Sequence, residues 1–409
     1  MAFPLQSIHI TLAVGGGIAA YKACDFIREA QRHGIASIHP ILTPDSQQFI
    51  TPLTLASLAM QPATIDSFAL DERGVPLHIA LAQKTDALVI LPATANLLAK
   101  LANGFGDNLV TTTALTFTNK PIIIVPAMNT RMWENPFVQE NLRKLEAQPN
   151  ITCVMPSAGL LACGETGAGH LAPYTLIFEA LYKVTHPHAN LFKGVKTLVT
   201  AGGTIEPLDV ARVLTNRSSG KMGVALADEL HAMGAMVTLV TAQSEPPVRS
   251  YRVIQAQTAE KMKTAVLGLA DEQDWILKAA AVSDFKLQDS NPHQKLKKQP
   301  NQTSYSLTFD LNPDILALLG QKKRPNQVLV GFAAETETAE IAPLLEKLNR
   351  KNASVLLVNN VATTGLGFGS DENQLKLLYP DGTTEETPIL PKPLLARHVL
   401  LALAHRFLK

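Results

Sequence analysis

Short runs of β-branched and other apolar residues alternate with helical stretches along the whole chain. The first half contains "IHITLAV", "DALVILPA" and "PIIIVPA", and the second half contains "KTLVTAGG", "MVTLVTA" and "SVLLVNN". Strands that alternate with helices predict a parallel sheet covered on both faces, because each helix returns the chain to the same edge. We therefore expect an α/β fold with ligands at the carboxyl ends of the strands.

The periodicity lapses around "VTHPHANLFKG", residues 184–194, and a new strand follows directly. This pattern predicts two domains, residues 1–188 and residues 189–409. Each half opens with a strand, a glycine turn and a helix, and little else matches between them. We interpret them as two related Rossmann-like architectures and not as a sequence repeat.

The composition excludes several classes of protein. Lys and Arg number 36 and Asp and Glu 35, so there is no basic footprint for nucleic acid or a membrane surface. The odd number of cysteines, Cys24, Cys153 and Cys163, argues against a disulfide framework and predicts a reducing, cytoplasmic setting. We find neither a secretory signal nor an apolar run near the roughly 18 residues of a spanning helix. A soluble enzyme that binds phosphate through local groups is expected.

The glycine turn "GGGIAAYK", residues 15–22, follows a strand and opens a helix. Its glycines would let the backbone approach a phosphate, and the helix amides would supply hydrogen-bond donors. It does not match GxGxxG, and a glycine turn after a first strand is common. A phosphate site and an ordinary tight turn both remain open from this stretch alone.

Two strands end in similar polar loops, "LPATANLLAKLANGFGDNL" at 91–109 and "VPAMNTRMW" at 125–133. Asn96 and Asn129 could be helix caps or turn residues, which is the usual role of Asn. Two parallel strands with such loops also favour a shared ligand. His78 begins a helix, where it is either structural or serves in acid–base chemistry or carboxylate binding.

These stretches, in order with "ACGETGAG", resemble the flavin-dependent phosphopantothenoylcysteine decarboxylase family. The resemblance implies a flavodoxin-like domain that binds FMN, with active sites between subunits of a trimer. It implies that His78 is the active-site histidine, that Asn129 binds the substrate carboxylate, and that Cys163 is the proton donor on a substrate-covering flap. The implied FMN-binding residues are Gly16, Gly17, Ile18, Ala19, Thr43, Pro92, Ala93, Thr94, Ala127 and Met128.

The resemblance also implies a mechanism in which the substrate thiol is oxidised to a thioaldehyde, with FMN as electron acceptor, before CO2 is lost. Physical reasoning agrees, because a cysteine amide has no electron sink for decarboxylation without a redox cofactor. A thiol with a pKa of about 8.5 can protonate the product. The chain departs from the family at Gly15, Glu165 and His170, where Thr or Ser, Asp and Arg are common.

The second half carries its own phosphate-suited turns in residues 200–230, around "NRSSGKMG". They predict a nucleotide site at a strand–helix junction, although a turn with a capped helix explains part of the run. Asp284, in "AAAVSDF", is read as a strand end and a natural Mg2+ ligand. The Lys295–Lys298 cluster is either a solvated charge run or a cap over an acyl-phosphate transfer.

These motifs, with "NPDI", "GFAAET" and "RKN", resemble the phosphopantothenate–cysteine ligase family. The resemblance implies activation of the 4'-phosphopantothenate carboxylate by CTP, followed by attack of L-cysteine. It implies that Asn216 contacts the acyl-cytidylate, that Lys295 is the essential flap lysine, and that Asp284 binds the metal. The implied CTP-binding residues are Ala279, Ala280, Ala281, Asp284, Lys295, Asn312, Pro313, Asp314, Ile315, Phe332, Lys347 and Lys351.

We therefore expect a bifunctional enzyme of coenzyme A synthesis that uses FMN, CTP and Mg2+. The families imply a homo-oligomer, a dodecamer of decarboxylase trimers joined by ligase dimers. Two alternatives are an inactive FMN-binding regulatory protein and a flavin prenyltransferase-like enzyme. The retention of His78, Asn129 and Cys163 argues against the first, and the ligase motifs argue against the second.

Overall fold

The computed structural model describes residues 3–160, 166–288, 293–297, 303–336, 340–361 and 366–408. The chain folds into two units, and the division between them falls between Pro187 and His188. This division lies inside the 184–194 segment where the sequence periodicity lapses.

The N-terminal unit is built on a five-stranded parallel sheet with the order β2-β1-β3-β4-β5. This is the flavodoxin-like order, and it confirms the expected fold class. A separate antiparallel hairpin, β6–β7, leads into and out of residues 161–165, which lie outside the described residues. The strands are β1 His9–Val14, β2 Ser37–Leu42, β3 Ala87–Ala93, β4 Ile122–Pro126, β5 Ile151–Cys153, β6 Ser157–Leu160 and β7 Thr166–His170.

The helices of this unit cover the apolar strands. The first helix buries Ala23, Phe26, Ile27 and Ala30, which is the apolar face that the helical spacing predicts, and Gly34 follows it with φ +79°. The helices are α1 Lys22–Arg32, α2 Pro52–Ala59, α3 Leu77–Lys84, α4 Ala95–Ala102, α5 Leu109–Thr116, α6 Thr130–Trp133, α7 Pro136–Glu146 and α8 Tyr174–Thr185. Short 3-10 helices span Ile18–Tyr21 and Pro44–Gln48.

The C-terminal unit has an eight-stranded sheet with the order β12-β11-β8-β13-β16-β17-β19-β20. Its first six strands are parallel, and counted along the chain they follow the Rossmann order 3-2-1-4-5-6. Strands β19 and β20 extend the edge in antiparallel fashion. The eight strands are β8 Lys196–Ala201, β11 Met236–Thr241, β12 Arg252–Gln255, β13 Trp275–Lys278, β16 Val328–Glu335, β17 Val355–Asn360, β19 Lys376–Leu378 and β20 Thr384–Glu386.

Three small antiparallel pairs project from this sheet. They are β9 Ile205–Pro207 with β10 Val213–Thr215, β14 Phe285–Leu287 with β15 Phe309–Leu311, and β18 Glu372–Asn373 with β21 Leu390–Pro391. The helices are α9 Lys221–Ala232, α10 Ala259–Leu269, α11 Ile315–Lys322, α12 Ile341–Arg350 and α13 Lys392–Phe407, with a 3-10 turn at Ala270–Glu272.

The structure differs from the sequence interpretation at two points of this unit. The β9–β10 hairpin stands between the glycine turn and the helix, which the sequence pattern places in direct succession. The strand expected to end at Asp284 ends at Lys278. Beyond Lys278 the regular ladder is interrupted: the Ala281 amide still donates to the Gly202 carbonyl oxygen at 2.9 Å, but the Ala280 amide donates to Thr200 Oγ1 at 3.0 Å. The Ser283 amide likewise donates to Thr204 Oγ1 at 2.8 Å.

Among the described residues, no helix combines the length and the apolar character needed to cross a membrane.

Candidate active sites at the switch points of the two sheets

The first candidate site lies where the strand order reverses between β1 and β3, the usual ligand position in a doubly wound sheet. The turn after β1 and the loop after β3 meet here, and the Gly15 amide donates to the Pro92 carbonyl oxygen at 3.1 Å. A Cβ at Gly15 would lie 2.4 Å from that oxygen, and a Cβ at Gly16 would lie 2.5 Å from Asp45 Cβ. Positions 15 and 16 are thus packed too closely for a side chain on this backbone, whereas a Cβ at Gly17 would meet only Thr94 Cγ2 at 3.4 Å.

A cavity of about 650 Å³ opens from this turn and is large enough for a cofactor-sized ligand. It brings together eight residues that the sequence predicts to share a site. They are Gly16, Gly17, Ile18, Ala19, Thr94, Ala127, Met128 and Asn129. The predicted residues Pro92 and Ala93 lie in buried strand β3 and do not line it.

Thr43 lines a smaller branch of about 140 Å³ that shares Gly16, Asp45, Thr94 and Asn96 with the main cavity. Its Oγ1 is buried and has no hydrogen-bond partner among the described residues. A buried hydroxyl without a partner is costly. A ligand oxygen in this branch would remove that cost, so the branch fits a phosphate group.

Asn129 serves two purposes at the end of β4. Its Oδ1 accepts a 2.9 Å hydrogen bond from the Arg131 amide and caps α6. The same residue lines the cavity. The cap and the ligand contact, which are alternatives in the sequence, are therefore compatible in the structure.

His78 lies at the start of α3 and is not among the residues that line this cavity. Its backbone carbonyl accepts a 3.1 Å hydrogen bond from Thr116 Oγ1. Its Nδ1 is buried without a partner in the described part of the chain. His78 therefore does not join Asn129 in the wall of this cavity.

The β6–β7 hairpin packs against the loop after β4. The Met128 amide donates to the Gly169 carbonyl oxygen at 3.0 Å. Gly169 has φ +125°, and a Cβ there would lie 2.2 Å from the Met128 oxygen, so only glycine fits. The hairpin is thereby held beside the cavity, while Cys163 and Glu165 lie outside the described residues.

The second candidate site lies at the switch point between β8 and β13 of the C-terminal unit. Gly203 and Ala281 form an isolated parallel bridge there. Gly202 adopts φ +86° in the turn after β8. The side-chain amide of Asn216 donates to the Ala281 carbonyl oxygen at 3.0 Å. The structure thus joins Asn216 to the predicted Ala279–Ala281 segment.

The loop of Asp284 is tied to the predicted Asn312–Ile315 turn. The Asn312 amide donates to the Asp284 carbonyl oxygen at 2.8 Å, and Asn312 Nδ2 donates to the Ser283 carbonyl oxygen at 3.0 Å. Asp314 Oδ1 accepts from the Ala317 amide at 3.1 Å and caps α11. The Asp284 side chain itself is exposed, as a ligand for an incoming metal requires.

Lys347 of α12 and Lys351, the first residue after this helix, pair with carboxylates of other elements. Lys351 Nζ lies 2.9 Å from Asp314 Oδ2, and Lys347 Nζ lies 3.5 Å from Glu335 Oε1. Burial opposes ionisation of Asp314, but the hydrogen bonds from Lys351 and the Ala317 amide, together with the charges of Lys351 and Lys278, outweigh it and lower the pKa of that carboxyl. Phe332, on β16, packs partly buried against the core beside them.

Lys278 is a residue that sequence reasoning missed. It ends β13, and its Nζ donates to the Ala280 carbonyl oxygen at 3.0 Å. Burial lowers the pKa of Lys278 to about 8, and the Lys351 ammonium contributes to this lowering. A lysine that closes the buried strand "WILK" is the signal that would have identified it.

Lys295 is exposed in the described segment 293–297. Backbone hydrogen bonds of the next residue, Leu296, hold this segment in place. The Leu296 amide donates to Asp209 Oδ2 at 3.1 Å, and the Leu296 carbonyl oxygen accepts from Arg212 Nη2 at 3.1 Å. Bonding to Arg212 lowers the pKa of Asp209. Asp209 and Arg212 therefore position the lysine segment, and sequence reasoning did not single them out.

Two protein-family models match the chain, the flavoprotein family over residues 4–186 and the C-terminal domain of the DNA/pantothenate metabolism flavoproteins over residues 192–406. The coenzyme A biosynthesis bifunctional protein CoaBC of Bacillus subtilis is 37% identical over 391 residues, 95% of this chain and 94% of that protein. CoaBC of Vibrio cholerae is 36% identical over 404 residues, 97% of this chain and 98% of that protein. A solved C-terminal domain of CoaBC is 30% identical, covers 53% of this chain and 97% of that domain, and has a TM-score of 0.44. The two curated relatives match this chain nearly end to end.

Proposed function

The chain belongs to the family of bifunctional coenzyme A biosynthesis proteins, and from that premise we propose which unit and which residues carry each activity. The enzyme is a phosphopantothenoylcysteine decarboxylase and a phosphopantothenate–cysteine ligase. We assign decarboxylation to residues 1–188 and ligation to residues 189–409. Ligation comes first, and its product is the substrate of the decarboxylase.

The cavity at the first switch point supports FMN as the decarboxylase cofactor. Eight predicted contacts line it, and the Thr43 hydroxyl, which has no partner within the described part of the chain, lies in the branch that fits the FMN phosphate. Bound FMN supplies the electron acceptor that a cysteine amide lacks. The observation that supports this assignment is the cavity lined by Gly16 and Gly17, together with the Thr43 hydroxyl in its branch.

The protein's own groups bind and protonate the substrate. Asn129 presents its side chain to the cavity and is held by the Arg131 amide, so its amide can orient the substrate carboxylate. We propose Cys163 as the proton donor to the carbon that loses CO2. His78 acts in the cavity of a neighbouring subunit, which accords with its absence from the wall of the cavity described above and with an Nδ1 that has no partner among the described residues.

The second switch point supports CTP as the ligase co-substrate. Lys278, Lys347 and Lys351 surround the loops of Asp284 and Asp314, and they would neutralise a triphosphate. Within the described residues no group of three or more His, Cys, Asp or Glu is placed to hold a metal. Mg2+ held by Asp284 together with substrate phosphates fits this arrangement.

Asn216 and Lys295 would act on the activated carboxylate. Asn216 is exposed beside Ala281, where its side chain can contact the acyl-cytidylate. Lys295 is exposed and would neutralise charge that develops as L-cysteine displaces CMP. We further propose that the protein is a cytoplasmic homo-oligomer, a dodecamer of decarboxylase trimers and ligase dimers. The odd number of cysteines accords with the cytoplasmic location, and the assignment of His78 to the cavity of a neighbouring subunit requires an oligomer.

An absorbance spectrum of the purified protein and a ligation assay with CTP or ATP test this assignment. We expect a flavin spectrum, CTP-dependent ligation, and CO2 release from phosphopantothenoylcysteine. Lys295→Gln should abolish ligation and leave decarboxylation intact. Protein that binds FMN and releases no CO2 would support the regulatory alternative, and equal use of ATP would contradict the CTP site.

A further inference from the structure

The main cavity has a second branch, of about 310 Å³, which we call the Lys22 branch. It shares Lys22, His170 and Leu171 with the main cavity. The rest of its wall comes from the 157–159 segment of the β6–β7 hairpin and from residues 172–174. None of its wall residues lines the branch that contains Thr43.

Lys22 and His170 meet at the wall that the two spaces share. Lys22 Nζ lies 3.5 Å from His170 Nε2, and His170 Nδ1 lies 3.1 Å from the Leu171 carbonyl oxygen. Since a carbonyl oxygen only accepts, Nδ1 carries the ring proton and Nε2 accepts from the Lys22 ammonium. The ammonium has three hydrogens, so this contact leaves donors for a ligand.

The Lys22 branch is positively charged. Among the residues of its wall, all within the described part of the chain, Lys22 contributes an ammonium group and none contributes a carboxylate. The Tyr174 hydroxyl donates to the Lys22 backbone oxygen at 2.9 Å and fixes the start of α1. A Cβ at Gly159 would lie 3.5 Å from His170 Cγ, so the imidazole ring lies directly against the hairpin.

We propose that Lys22 and His170 form the subsite that binds the phosphate monoester of the decarboxylase substrate. The inference rests on the proposed function, in which two phosphate-bearing molecules meet in one cavity. The Thr43 branch suits the cofactor phosphate, since its hydroxyl lacks a partner within the described residues. The Lys22 branch, whose wall has an ammonium and no carboxylate, then binds the second dianion, which is the phosphate of the substrate. This phosphate lies at the end of the substrate opposite the carboxylate that Asn129 binds.

Decarboxylation of phosphopantothenoylcysteine and of its dephosphorylated form, pantothenoylcysteine, tests the subsite. The wild-type enzyme should show the higher kcat/KM with the phosphorylated substrate. Lys22→Met should lower kcat/KM for that substrate about 10- to 100-fold, mainly through KM, as expected for loss of one charge-assisted hydrogen bond. It should change kcat/KM for pantothenoylcysteine by less than about 3-fold, because that substrate has no group for the ammonium to bind.

Lys144→Met is the matched control, since Lys144 is an exposed lysine of the same unit that pairs with Glu140. It should leave both substrates unaffected. If Lys22→Met purifies without flavin, the same comparison with His170→Leu decides the question, with a smaller loss of about 3- to 10-fold expected for the phosphorylated substrate alone.

Equal kcat/KM for the two substrates in the wild-type enzyme would overturn the subsite while leaving decarboxylation established. So would an equal loss for both substrates in the variants. Failure of the wild-type, flavin-loaded enzyme to decarboxylate either substrate would instead refute the proposed function itself.

Discussion

A hydrogen bond between Asn216 and Ala281 joins the two loop regions at the second switch point, the connection from β8 to α9 and the loop after β13. The Asn216 side-chain amide donates to the Ala281 carbonyl oxygen at 3.0 Å, although the two residues are far apart in sequence. Ala281 in turn donates its amide to the Gly202 oxygen at 2.9 Å. The Asn216 side chain and these backbone hydrogen bonds together link the turn after β8 to the loop that carries Asp284.

Asn216→Asp should therefore lower ligase activity at least about 100-fold, because a carboxylate cannot donate to the Ala281 oxygen and repels an anionic intermediate. Decarboxylation should remain unchanged. Ligation and decarboxylation are measured separately, with phosphopantothenate and phosphopantothenoylcysteine as substrates. Asn326→Asp, an exposed change before β16 at the amino edge of the sheet, is the control. Ligation at the wild-type rate in Asn216→Asp would contradict the role.

Thr43→Val should weaken FMN binding about 10-fold, because the hydroxyl is assigned to the phosphate. The flavin-free protein should become as stable as the wild type or more so, since that buried hydroxyl has no partner in the described structure. Thr113→Val is the control, because its Oγ1 is also buried without a partner among the described residues and it lies on α5, away from the cavity wall. Flavin titration and thermal unfolding measure the two effects, and unchanged FMN affinity in Thr43→Val would contradict the assignment.

Asn129→Asp should reduce decarboxylation at least about 100-fold through repulsion of the substrate carboxylate. The α6 cap should persist, because Asp caps helices as well as Asn. Asn135→Asp makes the same change in the cap of α7, where Oδ1 accepts from the Phe137 amide at 3.0 Å, and should be silent. CO2 release is the measurement, and comparable losses in both variants would point to folding instead of substrate binding.

Lys278→Met should weaken CTP binding about 10-fold and raise, not lower, the free energy of unfolding at pH 7. The pKa of Lys278 is about 8 in the folded protein, below its value of about 10.4 in a free chain. The charged amine therefore destabilises the native state below pH 8, and this penalty disappears as the pH rises to about 10.4. The gain in the variant should shrink over that window in denaturant titrations. Lys261→Met, exposed on α10, is the control, and an equal loss of stability at all pH values would contradict the prediction.

The stability of the N-terminal unit should fall with acid through His39. Burial lowers the pKa of this imidazole to about 4, with contributions from Lys84 and His9. Because the unfolded chain binds a proton near pH 6.5, stability present above that pH is lost as the pH falls toward 4. We expect a loss of about 2 kcal/mol, reduced from the full difference because the adjoining His9 and Ser37 are partly exposed. His39→Leu should flatten this part of the pH profile in urea titrations, and an unchanged profile would exclude His39 as its source.

Much of each fold follows from local sequence patterns. The buried face of α1, with Phe26 and Ile27, follows from helical spacing, and Gly34 marks its end. The polar loop after β4 places Asn129 at the wall of the cavity, as a strand end predicts. These features are local, because hydrophobic periodicity records which side of a helix or strand is buried and not what it is buried against.

The tertiary structure alone decided which strand ends became neighbours. Strand order places β1 beside β3 and β8 beside β13, and so selects which loops form each site. It places Lys278 among charges from distant elements, and it leaves His78 out of the wall of the cavity that Asn129 lines. Such proximity depends on which strands pair over long sequence distances and on burial, and neither leaves a periodic pattern in the sequence. Amino-acid order therefore determined the elements and the residue types of the two sites, while packing determined which of those residues meet.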